Sequence, residues 1–176
     1  MESFGNPQSI LSQVTIKKGS FVVDVGSGVG TYSLPLATLV GPEGTVVAID
    51  IQKVKLDRLY AEAQKAGLQN VHVVWSDAEL PNGTKLADTV ADVVILTNVF
   101  FLIDDKQGLL TELKRILKKG GMVLLVDWTG SFDGIGPHPN RVVPKDTARD
   151  MFMRAGFTFG RDINAGAYHY GMIINN

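Results

Sequence analysis

The sequence of 176 residues contains no cysteine. Without thiols the chain forms no disulfide and no thiolate metal site, and it has no cysteine nucleophile. No uninterrupted apolar run reaches the roughly 18 residues that a membrane-spanning helix needs. Residues 1–7 also lack the basic region and apolar core of a signal peptide. We therefore expect a cytoplasmic protein.

Concentrated charge of either sign is also absent. The chain has 17 basic and 18 acidic residues, a formal net charge of -1, and basic residues that are scattered along it. Nucleic-acid binding usually relies on a concentrated basic surface, so the composition gives no strong signal for a nucleic-acid partner. The length and the 45% apolar content favour a single domain over residues 1–176 with a substantial core.

Hydrophobic runs and turn residues predict strands that alternate with helices. Strands are predicted over residues 21–25, 45–50, 71–75, 91–97, 122–127, 157–163 and 167–174. Helices are predicted over residues 8–15, 30–40, 52–66, 105–118 and 145–155. Pro35 lacks a backbone N–H, so we expect a loosened or kinked first turn in the second helix.

The alternation implies an α/β fold, a Rossmann-like, doubly wound and mostly parallel sheet of seven strands with helices on both faces. The short connection Asn164–Gly166 allows only an antiparallel pairing of the last two strands. Residues 129–144 show no periodicity. A loop of this length in a compact domain is usually functional or disordered, and we expect it to lie on the substrate side.

A glycine-rich turn follows the first predicted strand directly. Gly26, Gly28 and Gly30 let the backbone turn tightly and approach a ligand closely. Asp24 lies inside the strand, where a carboxylate should be hydrogen-bonded to the turn or to a ligand amine. The dinucleotide fingerprint needs its third glycine at position 31, where Thr31 stands. A purely structural turn is the alternative interpretation.

Acidic residues stand at the ends of the next two strands. Asp50 ends the second strand about 20 residues after the turn, where an acid can accept both hydroxyls of a ribose. Asp77 follows the third strand and could accept an adenine amino hydrogen. Either acid could instead be a solvated strand end or a helix cap. Together with the glycine turn, the two acids favour a nucleoside ligand.

Five segments, in this order, resemble class I S-adenosylmethionine-dependent methyltransferases, in particular the branch with the ubiquinone/menaquinone biosynthesis and arsenite methyltransferases. They are Val22–Gly30, Val47–Asp50, Ser76–Glu79, Asp92–Asn98 and Leu113–Gly121. The resemblance implies S-adenosylmethionine as the cofactor, S-adenosylhomocysteine as the product, and no metal.

The resemblance also implies which residues bind the cofactor. Around the methionine part these are Asp24, Gly26, Ser27, Gly28 and Gly30. Around the ribose and adenine these are Asp50, Ile51, Asp77 and Ala78. Asn98 would lie beside the reactive methyl group. A sulfonium cation suits a site lined by carbonyls and aromatic faces rather than by cations.

The strand ends and the 129–144 loop supply candidates for the acceptor side. These are Phe101, Trp128, Arg141 and Tyr168. Arg141 would pair with an anionic substrate or anchor the loop. Asn98 and His138 are the catalytic candidates, although His138 could simply be solvated. Asp127 and His169 are further possible bases, with an ordinary strand histidine as the favoured interpretation of His169.

The fourth strand ends in Thr97-Asn98-Val99-Phe100, which departs from the Asn/Asp-Pro-Pro-aromatic motif of enzymes that methylate adenine or glutamine amino groups. The missing cysteine argues against cytosine C5 and arsenite as acceptors. We therefore expect a methyltransferase that acts on a small or amphipathic molecule, with a homodimer possible. The alternatives are a protein or RNA methyltransferase, an NAD-dependent oxidoreductase, or a non-catalytic cofactor-binding module.

Overall fold

A computed structural model describes residues 5–132 and 134–176. Its strands are β1 Phe21–Val25, β2 Thr45–Asp50, β3 Val71–Trp75, β4 Ala91–Thr97, β5 Leu117–Trp128, β6 Thr158–Ile163 and β7 His169–Asn175. Its α-helices are α1 Pro7–Leu11, α2 Ser33–Val40, α3 Lys53–Lys65, α4 Lys106–Ile116 and α5 Lys145–Arg154. Short 3₁₀ helices lie at Phe100–Leu102 and Pro139–Arg141.

The seven strands form one sheet in the order β3-β2-β1-β4-β5-β7-β6. Strands β1 to β5 pair in parallel, whereas β7 runs antiparallel to both β5 and β6. This architecture confirms the predicted Rossmann-like sheet with its antiparallel last strand. The strand order reverses between β1 and β4, so a ligand is expected beyond the carboxyl ends of these strands.

Helices cover both faces of the sheet because side chains alternate along each buried strand. Val23 and Val25 of β1 face the core that contains α4 and α5, whereas Val22 faces the core of α1, α2 and α3. Asp24 shares the face of Val22 and points toward α2. This alternation places one carboxylate inside an otherwise apolar layer.

Two helices begin or end away from their predicted bounds. Helix α2 begins at Ser33, so Pro35 lies in its first turn, where an N–H has no partner within the helix. The Leu34 and Leu36 N–H groups donate to Gly30 and Tyr32 at 3.0 Å, and Pro35 between them donates no bond. The helix begins at Ser33 rather than at residue 30, which is consistent with the predicted loosening of the first turn. Helix α1 ends at Leu11, and beyond it the Gln13 side chain bonds the backbone of Asn164 at 2.8 and 2.9 Å.

The junction between α4 and β5 also differs from the prediction. The chain passes from Ile116 directly into β5 at Leu117, whereas the predicted strand begins only at residue 122. Leu117 is buried and pairs with Ala91 of β4, which draws the backbone into the sheet early. Within the described residues, no helix is long and apolar enough to cross a membrane.

Candidate functional site

Gly26 and Gly28, the first two of the three glycines in the turn after β1, have different surroundings. Gly26 has a φ of 72°, and a methyl group there would overlap the side chain of Val99, which follows β4. Gly28 has a φ of 55°, and a methyl group there would meet no atom of the described residues within 4 Å. Gly26 thus permits close packing against Val99 and also lines the pocket described below, whereas Gly28 faces open space beside the turn.

Asp50 ties the end of β2 to this turn. Its Oδ2 accepts a hydrogen bond from the Gly28 backbone N–H at 2.9 Å, and its Oδ1 accepts one from the Gln52 N–H at 2.8 Å. The side chain is buried, so these two bonds fix the carboxylate in one orientation. Each oxygen keeps a second lone pair that can accept a hydrogen bond from a ligand hydroxyl.

Asp24 is fully buried beneath the turn. The Ser33 hydroxyl, at the start of α2, donates to its Oδ2 at 2.6 Å, whereas its Oδ1 has no hydrogen-bond partner. Burial raises the pKa of Asp24 to about 6, against the opposing effect of the Ser33 hydrogen bond. Burial and the nearby Asp24 also raise the pKa of Tyr32 to about 12.

The predicted nucleoside residues line one pocket of about 160 Å³ at the carboxyl ends of β1 to β4. From the predicted set it contains Gly26, Asp50, Ile51, Asp77, Ala78 and Asn98. Val99, Leu102 and Ile103 add apolar surface that the sequence did not indicate. The exposed Ile51 and Leu102 give the pocket apolar edges suited to a flat ring.

Negative charge dominates the walls of this pocket. Among its lining residues are three carboxylates, Asp50, Asp77 and Glu79, and one lysine, Lys55. Asp77 accepts the Glu79 N–H at 2.9 Å, which orders the turn after β3. Opposite charges attract more strongly near the low dielectric of a protein surface than in bulk water, so this lining suits a cationic ligand.

Asn98 lies at the end of β4 in a left-handed conformation with a φ of 53°. Asparagine tolerates this region better than most residues with a side chain. Its N–H donates to the carbonyl of Val126 at 2.9 Å, so its position depends on the neighbouring strand β5. The exposed side chain lines the same pocket as Gly26 and Asp50.

Gly30 and Ser27 occupy different environments from the pocket residues. A methyl group on Gly30 would lie 2.8 Å from Cγ of Leu59, so this glycine permits α3 to pack against the turn. Ser27 is buried, and its hydroxyl has no hydrogen-bond partner. The structure therefore brings most of the predicted cofactor residues together and places Gly30 behind them.

The ends of β5 and β7 form an aromatic surface beside the pocket. The Trp128 and His169 rings lie 4.3 Å apart between centroids, and Phe132 meets Tyr168 edge-on at 4.9 Å. The Thr129 N–H donates to the Tyr168 carbonyl at 2.9 Å and holds the start of the loop against β7. Trp128 and Tyr168 thus belong to one cluster, to which His169 and Phe132 also contribute.

Arg141 and Phe101 lie on a separate cavity of about 440 Å³ between the loop, α4 and α5. Arg141 pairs with Asp104 at 2.6 Å and anchors the loop, one of the two roles predicted for it. The Phe101 N–H donates at 2.8 Å to Asp127, whose pKa burial raises to about 6. Burial and nearby Arg141 lower the pKa of Lys106 in this cavity.

His138 is exposed at the start of the second 3₁₀ helix. Its Nδ1 lies 2.8 Å from the side-chain oxygen of Asn140, and it lines neither the nucleoside pocket nor the cavity beside Arg141. This position favours the solvated role over the catalytic one. Its catalytic role stays an untested prediction.

Two residues of the site carried no signal in the sequence. Ser33 follows the glycine turn by three positions and holds Asp24 through a contact that depends on how α2 folds back over β1. Val99 reaches Gly26 from the segment after β4, which is far away in the chain. No local pattern in the sequence marks either contact.

The comparisons with known proteins agree with this geometry. Residues 16–149 match the methyltransferase domain family. The chain belongs to this family. It is also 33% identical over 119 residues to a demethylmenaquinone methyltransferase of Staphylococcus aureus, which covers 67% of this chain and 47% of that protein. The chain therefore spans about half the length of the curated relatives it matches.

Solved structures support the same assignment. A SAM dependent methyltransferase from Aquifex aeolicus superposes with a TM-score of 0.89 and 29% identity, covering 98% of this chain and 90% of that one. Together with the family match, this likeness confirms the predicted class I S-adenosylmethionine-dependent methyltransferase family. The [4+2]-cyclase SpnF also shares the fold, with a TM-score of 0.77 at 18% identity. That likeness shows the fold alone.

Proposed function

We propose that this chain transfers the methyl group of S-adenosylmethionine to a small, amphipathic acceptor. The observation that carries the proposal is the convergence of Gly26, Asp50 and Asp77 on one acidic pocket at the switch point of the sheet. When bound, the cofactor supplies a methyl group on a positively charged sulfur, with a neutral thioether as the leaving group.

The polar groups of the site that lack hydrogen-bond partners fit this cofactor. The unpartnered, buried Oδ1 of Asp24 and hydroxyl of Ser27 suit the amino group of the methionine part. The open space at Gly28 allows the ligand to approach the backbone. Asp50 would hold the ribose hydroxyls, and Ile51, Asp77 and Ala78 would surround the adenine. Asn98 would lie beside the methyl group.

The remaining task of the protein is to orient the acceptor and to exclude water. The aromatic surface of Trp128, Phe132, Tyr168 and His169 supports an acceptor that carries a ring or an apolar chain. The relative named demethylmenaquinone methyltransferase is consistent with such an amphipathic substrate. A cytoplasmic location and a homodimer stay predictions, for which fractionation and the mass in solution are the measurements.

Calorimetry with S-adenosylhomocysteine tests the cofactor half of the proposal. We expect saturable binding that an Asp50→Ala variant loses, because the carboxylate is then missing from both the turn and the ribose. Asp57→Ala, in which an exposed i,i+4 ion pair is removed from α3, should bind like the wild type. A wild-type protein that does not bind S-adenosylhomocysteine would refute the proposal.

Radiolabelled S-adenosylmethionine tests the acceptor half. We expect label to pass to demethylmenaquinone or to another member of a panel of phenols, thiols and amines that carry apolar groups. Label that passes instead to protein or RNA would reject the small-molecule acceptor while leaving methyl transfer established.

A further inference from the structure

The amino end of β7, which lies beside the carboxyl end of β5, contains buried polar groups that no described residue satisfies. His169 is only 7% exposed, and neither its Nδ1 nor its Nε2 has a hydrogen-bond partner. The hydroxyl of the next residue, Tyr170, is also buried without a partner. Buried polar side-chain atoms are paired in the large majority of cases, so unpaired ones need a specific explanation. A polar ligand that binds at this end of the sheet is such an explanation.

The strand register places His169 at the same edge of the sheet as the nucleoside pocket. Trp128 pairs with His169 across β5 and β7, and the Val126 carbonyl, two residues before Trp128, accepts the Asn98 N–H. Asn98 in turn lines the pocket with Gly26 and Asp50. His169 therefore lies at the carboxyl edge of the parallel strands, three strands from β1 in the order β1-β4-β5-β7, on the side where an acceptor would approach.

The imidazole is held in place by its contact with Trp128. The two rings are 4.3 Å apart between centroids and tilted by 42°. The backbone of Gly136 also lies on the indole, since a methyl group at Gly136 would be 2.8 Å from Cε3 of Trp128. A base fixed by packing on rigid strands needs little reorganisation when its substrate binds.

Burial favours the neutral form of this histidine. Burial lowers the pKa of His169 below its ordinary value of 6.5, and no charged group contributes to the shift. The titratable neighbours are Tyr168 and Tyr170 on β7 and Asp127 on β5; Asp127 and Tyr170 lie on the opposite face of the sheet. A neutral imidazole has one nitrogen free to accept a proton.

The other candidate bases have hydrogen-bond partners of their own within the protein. Both oxygens of Asp127 accept backbone N–H groups, from Phe101 and Trp128, each at 2.8 Å. Asp24 is hydrogen-bonded to Ser33 beneath the glycine turn, and His138 is exposed beside Asn140. His169 differs from all three because both of its polar atoms are buried and unpartnered.

We propose that His169 accepts the proton that the methyl-accepting group releases. The inference rests on the proposed function. In this step a lone pair of the acceptor forms a bond to the methyl carbon as the carbon–sulfur bond breaks, which leaves S-adenosylhomocysteine. The acceptor's O–H or N–H proton passes to an imidazole nitrogen of His169 and from there to solvent. The ligand class is thus a ring-bearing molecule that still holds its proton at neutral pH.

A stability measurement separates this role from that of an ordinary core histidine. In His169→Leu, two unpaired polar atoms are removed from the interior. Because unsatisfied buried groups destabilise a fold, we expect Tm to rise by about 2 to 4 °C. S-adenosylhomocysteine should bind with unchanged Kd. Loss of S-adenosylhomocysteine binding would mean that His169 serves the cofactor site instead, and would overturn the proposal.

Kinetics with two kinds of acceptor test the proton transfer itself. In His169→Gln, methyl transfer to a phenol that is protonated at the assay pH should fall by about 10² or more. Transfer to a fluorinated phenol that is already ionised at the same pH should change by less than about threefold, because no base is then needed. The control is His72→Gln, which removes an exposed imidazole from β3. Equal losses with both phenols would refute the role.

Histidine NMR signals give a readout that needs no acceptor. The chain has three histidines, so the spectrum is simple and His169→Gln assigns the buried one. We expect its ring signals to titrate reversibly in the folded protein, at a lower pH than 6.5. A ring that stays neutral until unfolding would overturn the proposal. Failure to bind S-adenosylhomocysteine would refute the proposed function instead, and these signals would still show whether the His169 ring takes up a proton in the folded protein.

Discussion

At the scale of single residues, the glycine turn separates a packing role from a binding role. The α-hydrogens of Gly26 and Gly28 both stand where L side chains are disfavoured, with φ values of 72° and 55°. Only the former is pressed against another side chain, that of Val99. The motif Gly-x-Gly-x-Gly is therefore not one functional unit, and its members should respond differently to the same substitution.

Gly26→Ala should destabilise the fold by about 2 to 4 kcal/mol, from overlap with Val99 added to the left-handed conformation. Gly28→Ala should lower the free energy of unfolding by only about 1 kcal/mol, from the left-handed conformation alone. It should weaken S-adenosylhomocysteine binding, because the methyl group projects into the open space beside the turn. Urea denaturation and calorimetry on both variants measure the two effects. Equal losses of stability would show that the packing difference has no energetic consequence.

Asp24 should give the protein an unusual dependence of stability on pH. Its pKa is about 6 in the fold and close to 3.8 when exposed, so between these values the folded state holds a proton that the unfolded state has lost. The free energy of unfolding from this group therefore increases as the pH falls from about 6 to about 4. Above pH 6 the ionised, buried carboxylate destabilises the fold.

Asp24→Asn tests this dependence. At pH 7 we expect the variant to be more stable than the wild type by about 1 to 3 kcal/mol, and at pH 4 to be nearly equal to it. Affinity for S-adenosylhomocysteine should fall, because the unpartnered oxygen no longer carries charge. The measurement is urea denaturation at both pH values. A difference in stability that is the same at pH 4 and pH 7 would contradict the assignment.

At the scale of elements, one buried network joins α4 to the turn between β3 and β4. Glu112 Oε1 accepts the backbone N–H of Thr84 at 3.0 Å, its hydroxyl at 2.6 Å and the guanidinium of Arg115 at 2.7 Å. Burial would raise the pKa of Glu112, but the hydrogen bonds from Arg115 and Thr84 outweigh it and lower the pKa to about 2. This network fixes the polypeptide that follows the pocket residues Asp77 and Ala78.

Glu112→Gln should lower the free energy of unfolding by about 2 to 4 kcal/mol, since it leaves Arg115 without its buried charge partner. The wild type should lose this contribution as the pH falls from about 4.5 toward 2. Glu62→Gln is the matched control, because Glu62 forms an i,i+3 pair with Lys65 at 3.8 Å with both side chains exposed. We expect it to change stability by less than about 0.5 kcal/mol.

At the scale of the whole molecule, ligand binding and folding are linked because the site is assembled from the ends of four strands. A ligand that binds only the folded state raises Tm in proportion to the logarithm of its concentration above Kd. We expect S-adenosylhomocysteine to raise Tm and NAD to leave it unchanged. A thermal-shift titration with both ligands checks this, and stabilisation by NAD alone would favour the oxidoreductase alternative.

Much of the fold follows from local sequence patterns. The bounds of β1, β2, β3 and β4 agree with their predictions, because each is a short apolar run rich in β-branched residues between turn signals. The errors lie at junctions: α1 ends early, α2 begins at Ser33, and β5 begins at Leu117. At such junctions, pairing with a distant strand or side chain outweighs local preference.

The sequence by itself determined the order of the elements, the parallel sheet and the positions of Gly26, Gly28, Asp50, Asp77 and Asn98 at strand ends. These follow from period, turn chemistry and the spacing of acids after strands, which are local properties. It could not decide what surrounds each residue. Whether Arg141 is bound to Asp104, whether Gly26 meets Val99, and whether the two nitrogens of His169 are buried depend on contacts between residues far apart in the chain. Such contacts exist only in the packed molecule, because burial and register are properties of the assembled sheet and not of a local segment.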